Sequence, residues 1–374
     1  MNILPYTHLE INVPNLLHNL SYFRSFLPAE SKLLVLVKAY AYGHGSGEFA
    51  KILEDNGVDY LAVAYPEEGV AIRQYGVKLP IIVLSGGEAN YPTLFQYNLG
   101  PSIPTFQALE RYLQEASQAG VTEAPFHIKI DTGMHRLGFE PAQMPELAAR
   151  LRDLYAHKDV LPIRVASVFT HFTGSAEPAY DDFTRHQIAL YRTCSQQLLD
   201  VLPYRPLRHM LNSPGIERFA AEAAFDMSRL GIGLYGISSV DPTRLRPTAY
   251  LKTPVLQVKT VPQGDTIGYS RQGIAKNGPM KTATLAIGYA DGINRHLGCG
   301  HVRFMVNGQL APTVGNICMD MCMLDVTGIE VKAGDMVTIF GDNPTISQLA
   351  DILGTIPYEI LTSVNHRVPR VYCR

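Results

Sequence analysis

A chain of 374 residues, 46% hydrophobic and 18% charged, is long enough for two domains and has the make-up of a folded globular protein. Thirty-two basic against 34 acidic residues, a net charge of −2, offer nothing to nucleic acid or an anionic membrane, and no apolar run approaches the ~20 residues that span a bilayer. The five cysteines (Cys194, Cys299, Cys318, Cys322, Cys373) are scattered without C-x-x-C spacing, which argues against a disulfide framework or a zinc site and fits a reducing cytoplasm. Residues 1–20 have neither a basic start nor an apolar stretch and do not read as a signal peptide.

Between Leu33 and Tyr235 a beat repeats: a short apolar run, a turn, then residues at helical spacing. The runs are 33–39, 59–65, 80–86, a weak 99–105, then 126–133, 165–172, 208–213 and 225–231. Continuous apolar character marks strands buried on both faces. Helices are expected at 45–56, 66–75, 106–118, 141–155 and 180–202. About eight β-α units in some 240 residues predict an N-terminal (β/α)8 barrel, since no G-x-G-x-x-G turn follows the first strand to suggest an open doubly wound sheet. A boundary falls at 241–247. Residues 241–374 then alternate in short strands at 282–290, 301–309, 322–328 and 335–341, with one helix at 346–354, so they predict a β-rich second domain. The division is 1–240 and 241–374, with the first few residues free to pack on the second domain.

Reactive groups of a (β/α)8 barrel sit at the C-terminal strand ends, and Lys38, Lys129, Asp131, His171, Asn212, Ser213 and Arg229 fall there. By position alone Lys38 fits a snorkelling strand-end lysine. Alternatively, burial lowers its pKa and makes it a nucleophile able to form a Schiff base.

The segment VKAYAYGHG (37–45) decides between these. It resembles the cofactor-lysine motif of alanine racemases, with Tyr40 where that family commonly has Asn. HIKIDTGMHRLGF (127–139), FTHF (169–172), LNS (211–213), RLGIGLYG (229–236), IGYADG (287–292), VGNICMDMCM (314–323) and RVPRVY (367–372) follow in the family's order. The resemblance implies a barrel plus β domain and pyridoxal 5'-phosphate. It also implies interconversion of L- and D-alanine, supplying D-alanine for peptidoglycan.

By resemblance, Lys38 holds the cofactor and takes the α-proton of the D-isomer, while Tyr269 works on the opposite face for the L-isomer. A phenol at its ordinary pKa of about 10 is a poor base near neutrality. Arg229 is matched to the cofactor's ring nitrogen, a contact that favours simple proton exchange over transamination, and His209 to a residue coupling Arg229 to Tyr269. Gly231, Ile232, Ser213 and Tyr42 are matched to the phosphate, and His171 to a place beside the ring. Arg136 and Met319 are matched to the substrate carboxylate, with Cys318 and Asp320 lining the pocket. Lys129 is matched either to a lysine that is carbamylated in many relatives or to an ion-paired barrel lysine. The family arrangement puts Tyr269 and Met319 in the neighbouring subunit's site, which implies a two-fold homodimer.

Two positions depart from the pattern. His366, after Asn365, stands where a phosphate-binding tyrosine is usual, and Asn316 where an arginine is common. Both touch substrate access, so significant serine activity is one alternative to strict alanine specificity. A non-catalytic pyridoxal-phosphate homeostasis protein is another, but such proteins resemble only the barrel half.

Overall fold

The computed structural model describes residues 6–85, 91–156 and 163–374. Gly86, at the end of the third expected run, lies outside the described residues. Strand β1 (His8–Asn12) leads into helix α1 (Val13–Arg24). Asn12 caps that helix by accepting from Asn15 N, and Pro14 sits in its first turn. This cap was legible in the sequence, but the helix was not among those expected.

Eight parallel strands then close into a barrel, β2 (Lys32–Leu36), β3 (Tyr60–Val63), β4 (Ile81–Val83), β5 (Leu99–Ile103), β6 (Pro125–Lys129), β7 (Arg164–Phe169), β8 (Leu207–His209) and β9 (Met227–Leu230). The seam is β2 against β9, with Leu34 opposite Arg229. The expected helices lie between them with ends shifted by a few residues: Gly47–Asp55, Pro66–Gln74, Phe106–Gln118, Met144–Ala156 and Asp181–Leu199. Helices Tyr91–Gln96 and Ser213–Ala223 lie outside the spans expected above, and Lys38–Tyr42 forms a tight turn whose Ala39–Ala41 have non-helical backbone angles. Leu34, Ala62, Ile82 and Met227, from four neighbouring strands of the barrel, form a buried cluster of their own.

The second domain is built on β10 (Ala249–Val261), a 13-residue strand that the sequence reading did not single out. It pairs with β1, Met336–Phe340 and Met280–Leu285. β1 in turn pairs in parallel with Arg370–Cys373, so both chain ends join this sheet. Within the expected 301–309 strand, Asn307 and Gly308 take positive φ and turn the chain into a hairpin between Arg303–Val306 and Gln309–Pro312, the usual use of Asn-Gly. The expected helix is Ile346–Leu353, capped by Thr345 and ended by Gly354. A second one, Pro357–Ser363, corrects the expectation of a single helix here. No helix among the described residues is long and apolar enough to cross a membrane.

Candidate active site

At the C-terminal ends of the barrel strands opens a cleft of about 770 Å³. Lys38, Tyr42, Lys129, Arg136, His171, Ser213, Arg229, Gly231 and Ile232 all line it. A hollow of about 890 Å³ on the second domain is larger, but it gathers no comparable set of buried titratable groups; chemistry favours the smaller one.

Burial is the first cause of every shift in this cleft. It lowers the pKa of Lys38, with Arg136 adding to the effect and Glu68 opposing it. Lys129 is pushed down to about 8, by burial and then by Arg136, Arg229 and Lys38, against Asp131. Arg229 is brought to about 10 and so stays charged at neutral pH. His171 is held well below the usual imidazole range by burial and by Arg229. The result is a cationic cleft whose lysines lose protons readily. Lys129 has no ion pair with Asp131, whose Oδ1 instead accepts from the backbone N–H groups of Gly133, Met134 and His135.

Lys38 is followed by four successive non-glycine residues at positive φ, Ala39 (51°), Tyr40 (55°), Ala41 (49°) and Tyr42 (50°). A left-handed turn costs L-residues about 1–2 kcal/mol each, so its surroundings must enforce it. Glu68 Oε1 accepts from Ala39 N at 2.5 Å, and the Tyr42 ring stacks on Tyr235 at 4.5 Å. The far side belongs to the second domain. Arg370 Nε donates to Gly43 O at 2.8 Å, and Tyr372 Oη donates to His44 O. Gly43 packs so closely on Leu361 that a Cβ would lie 2.2 Å from Leu361 O. The turn brings Lys38 and Tyr42 into one cleft.

Opposite them, Ser213 begins the helix Ser213–Ala223. Its Oγ accepts from Gly231 N at 3.0 Å and Gly233 N at 3.2 Å, which leaves its own proton to donate. A Cβ on Gly231 would stand 3.4 Å from Tyr42 Oη and 3.8 Å from Ser213 Oγ, so the glycine keeps open the space between two hydroxyl donors. Burial raises the Tyr42 pKa and keeps its proton in place. A helix start, backbone N–H groups and two hydroxyls suit a phosphate.

Arg229 spends both terminal nitrogens on the protein. Nη1 donates to His209 Nδ1 at 2.9 Å, and Nη2 to Thr170 O at 2.7 Å, Met210 O at 2.9 Å and His171 Nδ1 at 3.0 Å. Nε has no acceptor among the described residues, so it is free for a ring nitrogen. Together with the open cradle, this donor fits pyridoxal phosphate.

Other expected site residues lie elsewhere in the chain. Tyr269 is 69% and Met319 54% exposed, and neither lines the Lys38 cleft of its own chain. Asn316 Nδ2 donates to Tyr269 O at 3.0 Å. Cys318 and Asp320 also stay out of this cleft: Asp320 pairs with Arg367 at 2.8 Å, and Arg367 pairs with buried Asp291 at 2.7 Å. Tyr289 N and Ala290 N donate to Cys318 O and Met319 O, so the 287–292, 314–323 and 367–372 motifs interlock. His366 stacks on Tyr40 at 4.2 Å, and Arg370 lies over the same ring; Tyr40 and His366, two of the three departures from the family pattern, thus meet each other.

His209 requires a correction. It does not couple Arg229 to Tyr269, because Arg229 occupies its Nδ1 and Ser167 Oγ, at 2.9 Å, its Nε2. The imidazole on the cleft side of Arg229 is His171. Glu68, Ser167, His127 and Tyr358 were missed, although His127 stands inside a motif that was read.

A closed eight-stranded barrel with a cationic, phosphate-ready cleft at its strand ends, joined to a strand-rich second domain, defines a barrel enzyme of two domains. Residues 11–239 match the model for the alanine racemase N-terminal domain, and residues 248–372 the one for the C-terminal domain. Alanine racemase 2 of Caldanaerobacter subterraneus subsp. tengcongensis is 37% identical, over 98% of this chain and 94% of that one. The alanine racemase of Clostridium difficile 630 superposes with a TM-score of 0.90 at 33% identity, covering 100% and 97% of the two chains. That of Bartonella henselae, with covalently bound pyridoxal phosphate, superposes at 0.86 with 26% identity, covering 98% and 99%. The chain belongs to the alanine racemase family and is an amino-acid racemase.

Proposed function

We propose that the chain interconverts L- and D-alanine with pyridoxal 5'-phosphate held by Lys38, using Lys38 of one subunit and Tyr269 of a second, and so supplies D-alanine for the cell wall. One observation carries the reading: the cleft holds Lys38 with a phosphate cradle and a free Arg229 Nε, while Tyr269 stands exposed outside it. When bound, pyridoxal phosphate supplies an electron sink that acidifies the substrate Cα–H.

Racemisation needs a proton removed on one face and returned on the other. Lys38 Nζ takes or gives it on one face, where burial and Arg136 favour the neutral amine. Tyr269 Oη serves the opposite face from the neighbouring subunit, which makes the enzyme a two-fold dimer with shared sites. Arg229, charged at neutral pH, offers Nε to the ring nitrogen and withholds a full proton from it, which restrains electron withdrawal and favours proton exchange over transamination. Ser213, Tyr42, Gly231 and Ile232 hold the phosphate, and His171 sits beside the ring. Arg136 and Met319 orient the substrate carboxylate. Lys129, at about 8, adds to the positive field there. Cys318 and Asp320 support the second subunit's half of the site, while His366, stacked on Tyr40 of its own chain, belongs to the cofactor side.

Subunit complementation tests this. Lys38→Ala and Tyr269→Ala should each lower racemisation of L-alanine at least about a thousandfold. Co-expressed at equal levels, half of the dimers are mixed and each has one intact site, so about a quarter of wild-type activity returns. No recovery would sink the shared site. Equal turnover of L-serine in the same chiral assay would overturn alanine specificity.

A further inference from the structure

Across four consecutive strands, His127 on β6, Ser167 on β7, His209 on β8 and Arg229 on β9 form an unbroken chain. His127 Nδ1 meets Ser167 Oγ at 2.7 Å, Ser167 Oγ meets His209 Nε2 at 2.9 Å, and His209 Nδ1 meets Arg229 Nη1 at 2.9 Å. The four side chains are between 0% and 3% exposed. Room for His127 comes from β5, where a Cβ on Gly100 would fall 2.5 Å from His127 Nε2.

One end of the chain fixes the His209 tautomer. Arginine only donates, so His209 Nδ1 must accept. Burial and neighbouring Arg229 keep His209 neutral, and burial does the same for His127. A neutral imidazole has one donor and one acceptor nitrogen, so His209 carries its proton on Nε2 and donates it to Ser167 Oγ. Ser167 Oγ, having accepted there, gives its own proton to His127 Nδ1, its remaining partner among the described residues, which places the His127 proton on Nε2. With the opposite His209 tautomer, an N–H would face the guanidinium.

We infer that Ser167 and His127 are positioning residues of the racemase: they take up the Nε2 proton of His209, hold its ring with the accepting Nδ1 toward Arg229, and so keep the Arg229 Nε donor toward the cofactor's ring nitrogen. The inference rests on the proposed function for its consequence, but the tautomer chain itself does not need racemisation.

The test is histidine-selective 15N NMR on the full-length protein as purified, alongside kinetics of Ser167→Ala and Ser167→Thr. In the wild type, His209 and His127 should appear as neutral Nε2–H tautomers that do not titrate between pH 6 and 9. Ser167→Ala should leave the His209 Nε2–H without its acceptor and shift that nitrogen's resonance. It should also lower kcat for alanine about tenfold, by analogy with the loss seen when the partner that orients a metal-bound histidine is removed, with KM within about twofold, and raise half-transamination per turnover. Ser167→Thr, which keeps the hydroxyl, should restore both readouts. A wild-type His209 protonated on Nδ1 overturns the inference even if Ser167→Ala does not fold. So does a folded Ser167→Ala with the wild-type His209 spectrum and kinetics. Correct tautomers in a protein that does not racemise alanine would instead count against the proposed function.

Discussion

In the barrel, Arg229 and His209 are 3% and 0% exposed and both terminal nitrogens of the arginine have protein acceptors. In the second domain, Tyr269 and Met319 stand 69% and 54% exposed, on turns held by backbone contacts. Burial in the barrel costs desolvation, which the polar chain offsets and which shifts the cleft lysines toward neutrality. Exposure in the second domain leaves the Tyr269 and Met319 side chains far less constrained, as the shared site of the proposed function requires. Preorganisation belongs to one domain and presentation to the other.

The sharpest way to break this contrast is at the Lys38 turn, where the two domains meet. Gly43→Ala forces a Cβ at φ +83° into Leu361 O and should lower stability by about 3 kcal/mol, read as a shift of the urea midpoint. A change below about 0.5 kcal/mol would mean that the second domain does not set the turn.

Next comes the charge buried in the barrel. Lys129 titrates near 8 when folded and at 10.5 when free. Below pH 8 both states are protonated and the cost of the buried charge is constant. From pH 8 to about 10.5 the unfolded chain binds more protons, so stability of the cofactor-free protein rises with pH in that window. Lys129→Met should remove this rise and add about 2 kcal/mol at pH 7. Parallel urea midpoints for both proteins from pH 7 to 10 would show that Lys129 is not a destabilising charge.

The smallest effect should fall on the exposed side. Asn316→Ala removes one hydrogen bond to Tyr269 O and should lower kcat/KM about threefold at an unchanged melting temperature. Loss of all activity would mean that the Tyr269 turn is as finely held as the barrel, and the contrast would fall.

Much of this was legible in the residues. Buried parallel strands announce themselves as apolar runs, and strand-end polar residues such as Lys38, His171 and Arg229 therefore mark one rim. Local signals such as Asn307-Gly308 and Thr345 also carry their own geometry. The helix Pro357–Ser363 and the strand Ala249–Val261 escaped because their form depends on what they pack against. Seven residues are few for an independent helix, and β10 makes sense only between β1 and its other sheet partners.

By itself, then, the sequence determined the barrel, the strand-rich second domain, the rim on which Lys38 and Arg229 stand, and the family resemblance, because periodicity and short motifs are local properties of a chain. Only the tertiary structure decided which nitrogen of His209 faces Arg229, that Ser167 and His127 stand behind it, and that Leu361 and Arg370 clamp the turn after Lys38. Those facts join residues from about 20 to more than 300 positions apart. Hydrogen-bond direction and steric exclusion act at about 3 Å, a distance that sequence separation does not encode.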